Sequence, residues 1–276
     1  MVIKQNKGYK LPLSKLEIID KYNSGASCYA IAKDCNCTPQ TIYSIIKKSG
    51  TQIRTLSEAA TKYTHNKDFF SVIDTEEKAY YLGLLYADGN VTNNVLSISL
   101  QEKDKDILKK FKEFLNYTGP LLIINKSGNR QNQIKLSITS PKLVSNLFEH
   151  GLYPNKGTTL EFPTTIPKSL QHHFIRGYFD GDGCVYANDK SKDYLFSMLG
   201  PKEFLINVQN ILIDALAINR TKLYNPKNCK ITQLHVLTYQ GKQNLKKIFS
   251  LIYSDATIFL ERKHDKFQHQ VFTGFT

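Results

Sequence analysis

The chain has 276 residues, with 37 Lys and Arg against 24 Asp and Glu, a net charge of +13. With 41% hydrophobic and 11% aromatic residues it is too apolar for a disordered tail, it holds no apolar run long enough to cross a membrane, and its start lacks the apolar core of a secretory signal. An intracellular, non-secreted protein with an anionic partner is expected, nucleic acid before a membrane surface.

Residues 1–54 carry three short helical patterns. Leu16, Ile19 and Tyr22 give the first an apolar face before Ser24-Gly25 stops it. Ser27 to Cys35 carries Ala30, Ile31 and Ala32. Asn36-Cys37 turns the chain, and Asn36 suits a left-handed backbone. Thr38 caps a third helix whose first residue is Pro39, and Ser49-Gly50 ends it. Ile42, Ile45 and Ile46 face inward. This is the grammar of a helix-turn-helix, with Gln40, Thr41, Tyr43, Ser44 and Lys47 on the outward face. Amides, hydroxyls and a cation suit base edges and phosphates; a small three-helix cluster with a polar face is the plainer alternative. Cys28, Cys35, Cys37, Cys184 and Cys229 are odd in number and read as reduced thiols rather than a disulfide framework. Cys35-x-Cys37 lacks further ligands for structural zinc. Residues 55–74 read as a polar linker with a weak helix from Leu56 to Tyr63, and Arg54 could follow phosphates.

The rest of the chain repeats itself. Ala79-Tyr80-Tyr81-Leu82-Gly83-Leu84-Leu85-Tyr86-Ala87-Asp88-Gly89 returns as His173-Phe174-Ile175-Arg176-Gly177-Tyr178-Phe179-Asp180-Gly181-Asp182-Gly183, so that Gly83 matches Gly177, Asp88 matches Asp182 and Gly89 matches Gly183 at one constant offset. After the first copy the pattern predicts a strand over Val95–Leu100, a helix over Asp106–Leu115, strands over Leu121–Asn125 and Gln133–Thr139, and a helix over Pro141–His150. After the second it predicts strands to Leu199, a helix over Pro201–Ala217, strands around Lys222 and over Ile231–Thr238, and helices over Lys242–Tyr253 and at the C-terminus. Domains are expected at 75–167 and 168–276.

Gly83 and Ala87, and Gly177 and Gly181, are small residues at spacing four, which lets two helix backbones approach closely. Each helix ends in Asp-Gly, with the glycine suited to a left-handed position. A carboxylate there opposes the helix dipole. Packed side by side, the helices bring Asp88 and Asp182 together, where they repel unless a divalent cation lies between them. Hard oxygen donors point to Mg²⁺, which serves phosphodiester hydrolysis. Asp180-x-Asp182-Gly183 touches a calcium-loop pattern, but the other EF-hand ligands are missing.

The two stretches Tyr81–Gly89 and Ile175–Gly183 resemble the motif of the LAGLIDADG homing endonucleases in their single-chain, two-motif form, over about residues 70–270. The resemblance implies an α+β fold of two pseudo-symmetric αββαββα domains with curved antiparallel DNA-binding sheets, here preceded by a small all-α helix-turn-helix domain. It implies that both motif helices form the domain interface, that Asp88 and Asp182 bind metal with the backbone carbonyls of Ala87 and Gly181, and that Lys156 and Lys263 complete the catalytic groups. Mn²⁺ would substitute for Mg²⁺, and Ca²⁺ would support binding without cleavage. Tyr86 stands where the motif has an acidic residue and the second copy has Asp180, and Arg176 replaces a small residue and is expected to point away from the seam.

The sheets would face duplex DNA. Alternation leaves Gln133, Lys135 and Ser137 outward in the first copy, and Gln233 and His235 in the second, with Lys126, Asn129, Arg130, Lys222, Lys227 and Lys230 in linking turns. The expected function is a site-specific, metal-dependent DNA endonuclease making a double-strand break, acting as a monomer. The alternatives are a non-catalytic DNA-binding regulator or an intron maturase on the same fold. An intein is disfavoured, because no terminal His-Asn pair is present.

Overall fold

The computed structural model describes residues 11–24, 26–54, 63–92, 94–126, 131–188, 193–226 and 233–272. The chain divides into two compact units, Met1–Tyr63 and Thr64–Thr276.

The first unit holds α1 (Lys15–Asn23), α2 (Cys28–Asp34) and α3 (Pro39–Lys48). Each starts on a hydroxyl cap: Ser14 accepts from Glu17 N in a full capping box, Ser27 from Ala30 N and Thr38 from Thr41 N. Such caps satisfy backbone donors that a helix start leaves orphaned, each worth about 1 kcal/mol. Asn36 takes the left-handed turn at φ 47. Ile18, Tyr22, Ile31, Ala32, Cys35, Ile42 and Ile46 form the core. Leu16, expected on the inner face, is 72% exposed. The buried pair of α1 is Ile18 and Tyr22, at spacing four rather than three.

The second unit begins earlier than the expected linker end at 74. Phe69, Phe70 and Ile73 are buried, both phenylalanines lie against the ring of Phe111, and Thr118 N donates to Thr64 O. Three apolar anchors therefore dock residues 64–74 onto the first copy. The helix expected over Leu56–Tyr63 lies almost wholly outside the described residues, as do Asn129, Arg130, Lys227 and Lys230.

The first copy runs α4 (Glu76–Asp88), β1 (Gly89–Thr92), β2 (Val95–Gln101), α5 (Lys105–Phe114), β3 (Leu122–Ile124), β4 (Gln133–Thr139) and α6 (Pro141–Glu149). Its sheet has the order β1-β2-β4-β3, antiparallel throughout. The second copy runs α7 (Gln171–Asp182), β5 (Gly183–Asn188), β6 (Asp193–Pro201), α8 (Lys202–Leu216), β7 (Leu234–Gln240), α9 (Lys242–Tyr253) and α10 (Glu261–Phe272), with β5-β6-β7 antiparallel. The unit is thus α+β, with αββαββα order in the first copy. In the second, the strand expected near Lys222 is reduced, among the described residues, to one bridge between Tyr224 and Val236.

α4 and α7 are the centre of the unit. Residues 79–86 and 173–180 are all buried, which explains their near-continuous apolar character. A Cβ added at Gly83 would fall 2.0 Å from Phe174 O, and one at Gly177 would fall 2.0 Å from Tyr80 O. The helices touch backbone to backbone. Gly89 and Gly183, expected in the left-handed region, are extended instead, at φ −73 and −87. Space is what demands glycine there: an added Cβ would lie 2.6 Å from Leu85 O or 2.0 Å from the Phe179 ring.

Overpacking of this kind costs about 1–3 kcal/mol even where side chains can shift, and backbone cannot. Gly177→Val is expected to lower the urea midpoint sharply or prevent folding. Gly157→Ala, at a position with nothing within 4 Å of an added Cβ, should leave the midpoint unchanged in the same assay.

Candidate active site at the paired helix ends

Thr75 caps α4 and Glu76 and Glu77 fill its first turn, so the helix starts well and ends badly, with Asp88 at its negative pole. α7 ends in Asp182 in the same way. Because the glycines let the helices cross closely, their ends adjoin. A Cβ on Gly181 would meet Ala87 Cβ at 2.2 Å and Asp88 Oδ2 at 3.1 Å.

Two lysines answer the negative charge. Lys156, on a 3₁₀ turn after the left-handed Asn155, donates from Nζ to Leu85 O, to Tyr86 O at 2.5 Å and to Ala87 O at 3.2 Å. Lys263, in the first turn of α10, donates to Gly183 O at 2.6 Å, Phe179 O at 2.8 Å and Gly181 O at 3.0 Å. Each ammonium thus satisfies carbonyls that a helix end leaves unpaired. Solvent reaches both aspartates, but the surrounding helix ends displace much of their water. Burial first, then the charge of Asp182, raises Asp88 to about 6. Burial also raises Asp182. Burial lowers Lys156 and Lys263, each to about 8. Among the attractions opposing the rise of Asp88, Lys263 acts more strongly than Lys156, and for Asp182 the order reverses.

The donor set fits a hard divalent cation. It consists of two crowded carboxylates with no hydrogen bond from a described residue, beside backbone carbonyls of Ala87 and Gly181. Those two carbonyls are the ones the lysines already engage, so the ammonium groups stand where positive charge is wanted.

The residues at matching positions Tyr86 and Asp180 tie the helices to the segments that carry the lysines. Tyr86 donates to the carbonyl of His150, which precedes the Lys156 turn. Asp180, fully buried, accepts from Leu260 N at 2.7 Å, Tyr80 Oη at 2.8 Å and Tyr253 Oη at 2.8 Å. Both copies therefore make a hydrogen bond at this position, with the side chain donating in the first and accepting in the second.

Arg176 leaves the glycine seam, as its size demands, yet is fully buried. It donates to Ile258 O, Ile252 O and, at 2.5 Å, Glu76 Oε1, and Glu76 also accepts from the backbone N–H groups of Thr257 and Ile258. This buried pair locks the start of α4 onto the second copy. Arg262 donates to both oxygens of Asp104 across the copies. Neither pair has a local sequence signal; only the odd bulk of Arg176 within the motif hints at one. His172, His173 and Asp255 also gather three possible metal ligands at the start of α7. Arg176 Nη1 donates to His173 Nδ1 at 2.7 Å, which puts the imidazole proton on Nε2, the atom facing Asp255. That nitrogen then has no lone pair for a cation.

The expected DNA-facing residues divide. In β4, Gln133, Lys135 and Ser137 share one face while Ile134, Leu136 and Ile138 are buried. Their partners in β2, Gln101, Ser99 and Ser97, are polar, while Leu122 and Ile124 of β3 lie on the same face. In β7 the expected alternation is reversed. His235 lies in register with the buried Leu237 and Tyr239, and its partner Gly200 is buried with Met198 and Phe196. The apolar Leu234 and Val236 occupy the outer face, because Tyr239 and not Val236 sets the core parity. Gln233 is exposed in the turn before the strand, and Lys126 and Lys222 are exposed. In the first unit Gln40 and Lys47 are exposed and Tyr43 is half-buried. Gln40, Thr41 and Ser44 line a groove between α1 and α3 with Lys15 and Lys48. The Ser44 hydroxyl donates to Gln40 O. Arg54 is a correction: its guanidinium lies 4.1 Å over the Tyr22 ring and donates to Ala26 O, closing the three-helix unit.

Residues 169–253 match the family model of a LAGLIDADG-like domain, and residues 12–54 match the CENP-B N-terminal DNA-binding domain. A DNA-directed RNA polymerase subunit, Rpo1C of Methanocaldococcus jannaschii, is 34% identical over 116 residues, covering 40% of this chain. The match spans only 13% of that subunit. Two crystal structures are similar to this chain at low identity. The LAGLIDADG homing endonuclease I-LtrWI bound to target DNA is 14% identical over 73% of this chain and 88% of that one, with TM-score 0.46. The N-terminal LAGLIDADG domain of DUF199/WhiA is 16% identical over 73% of this chain and 94% of that one, with TM-score 0.44. Among the described residues no helix is long and apolar enough to cross a membrane.

The raised Asp88 pKa has a stability consequence. Between its ordinary value of 3.8 and about 6, the folded protein holds a proton that the unfolded chain has released. Stability therefore falls as pH rises through that window. In EDTA, Asp88→Asn is expected to raise the thermal midpoint at pH 7 and to flatten the decline between pH 4 and 6, while giving no gain at pH 4. Thermal melts of both proteins across that range check it.

Proposed function

We propose that this chain is a site-specific, metal-dependent DNA endonuclease that makes a double-strand break at a long recognition site. The observation that carries this reading is the meeting of two pseudo-equivalent helix ends, which puts two carboxylates and two lysines into one cluster. Asp88 and Asp182, with the carbonyls of Ala87 and Gly181, would hold Mg²⁺, which supplies charge neutralisation and an acidified water when bound; Mn²⁺ would serve similarly. Two half-sites suit the two strands of a duplex. Lys156 and Lys263, with pKa values near 8, can hold a proton at Nζ near neutral pH and give it to a departing oxygen, or orient water as donors. The polar face of β4 would take base edges, and the first unit would lengthen the site through α3. Net charge of +13 favours the encounter with a polyanion and makes affinity depend on salt.

The test is cleavage mapping. Purified protein is incubated with genomic DNA of its source, with Mg²⁺ or EDTA, and all new ends are sequenced. New ends at one locus, only with Mg²⁺, are expected. Asp88→Asn and Asp182→Asn should each abolish double-strand cleavage and leave DNA binding in Ca²⁺ largely intact. Sequence-specific binding of duplex DNA without any new end would instead indicate a regulator, and preference for structured RNA a maturase.

A further inference from the structure

Two side chains beside the site sit poorly for their own helices. Asp104 is the N-cap of α5, where an aspartate ordinarily accepts from the first-turn N–H groups, yet its side chain makes no cap bond. Its carboxylate is 5% exposed and accepts from Arg262 Nε at 2.8 and 3.0 Å. Arg262 is the second residue of α10, where the helix dipole disfavours a cation. Each residue forgoes its local preference for the other. Asp104 belongs to the first copy and Arg262 to the second.

The next residue after Arg262 is Lys263. Leu260 N is already held by Asp180, so the start of α10 is fastened at two points, one from each copy. The internal symmetry does not repeat this. The residue before Lys156 is Asn155, and the N-cap of α8, the counterpart of α5, is Pro201. Neither can enter an ion pair. The Lys156 turn has no cross-copy ion pair among the described residues.

We propose that Asp104 and Arg262 are positioning residues, through which the first copy holds Lys263 in place, while the turn of Lys156 packs against β6 of the second copy without, among the described residues, a cross-copy ion pair. The two half-sites are therefore built differently, and the corner where β2 passes into α5 is mechanically joined to the lysine of the opposite copy. This inference rests on the endonuclease reading. Removing either partner frees the start of α10, and a displacement of about 1 Å at a reacting group can cost up to about a hundredfold in rate.

The experiment follows strand-resolved cutting of a supercoiled plasmid carrying the mapped locus. Lys263→Met marks the strand that depends on that lysine. Asp104→Asn and Arg262→Gln are expected to slow the same strand by about tenfold or more and the other by less than about threefold, so that nicked circles accumulate. The double variant should be no slower than either single, because both remove one contact. Arg262→Lys, which keeps the cation, should recover most of the rate. Affinity in Ca²⁺ should stay within about twofold of wild type. Equal slowing of both strands, or no slowing, overturns the inference while leaving the nuclease reading standing. A wild-type protein that cuts nothing overturns the nuclease reading and the inference with it. Should Asp104→Asn fail to fold, Arg262→Gln carries the same test, since that side chain is 41% exposed.

Discussion

The second unit depends on two helices meeting without side chains between them. Gly83 and Gly177 remove the atoms that would otherwise stand between α4 and α7, and each backbone then occupies the space of the missing Cβ. Close-packed interiors transmit small displacements rather than absorbing them. The separation of the helices at their centre therefore sets the separation of their ends, where Asp88 and Asp182 sit. The polar lock at the far end, between Arg176 and Glu76, fixes the angle between them. Such a pair adds little net stability, but breaking it leaves a buried charge, at a cost of about 3–5 kcal/mol.

Charge is the second constraint. Two helix C-termini and two aspartates put negative charge at one place, against the preference of each helix. Lys156 and Lys263 offset it by binding the last carbonyls, at the cost of their own desolvation. The result is a cluster whose acids titrate high and whose bases titrate low. Ionisable groups shifted toward neutrality mark a site more often than a brace. Here the shift has an evident structural source, since the glycine seam draws both pairs together.

Much of this is legible in the sequence. The repeated small residues at spacing four announce the seam, and the Asp-Gly that closes each copy announces the meeting of carboxylates. The β4 face is legible because its apolar set is regular. β7 is not, because Leu234 and Val236 imitate an inner face while Tyr239, further along, sets the true one. Residues 64–74 read as linker because Phe69, Phe70 and Ile73 are scattered among polar neighbours. Arg54 reads as a phosphate contact because nothing in the sequence says that Tyr22 lies beneath it. The pairs Glu76–Arg176 and Asp104–Arg262 join residues far apart in the chain, and a single sequence carries no signal for such pairs.

The central claim is that Asp88 and Asp182 hold a divalent cation at the joined helix ends. The most direct measurement is calorimetric titration of Ca²⁺ into the protein bound to its mapped DNA site, beside the Asp88→Asn/Asp182→Asn double variant on the same DNA. Saturable uptake by the wild-type complex that disappears in the double variant is the expected result. Equal uptake by both, with both still bound to DNA, would contradict the claim.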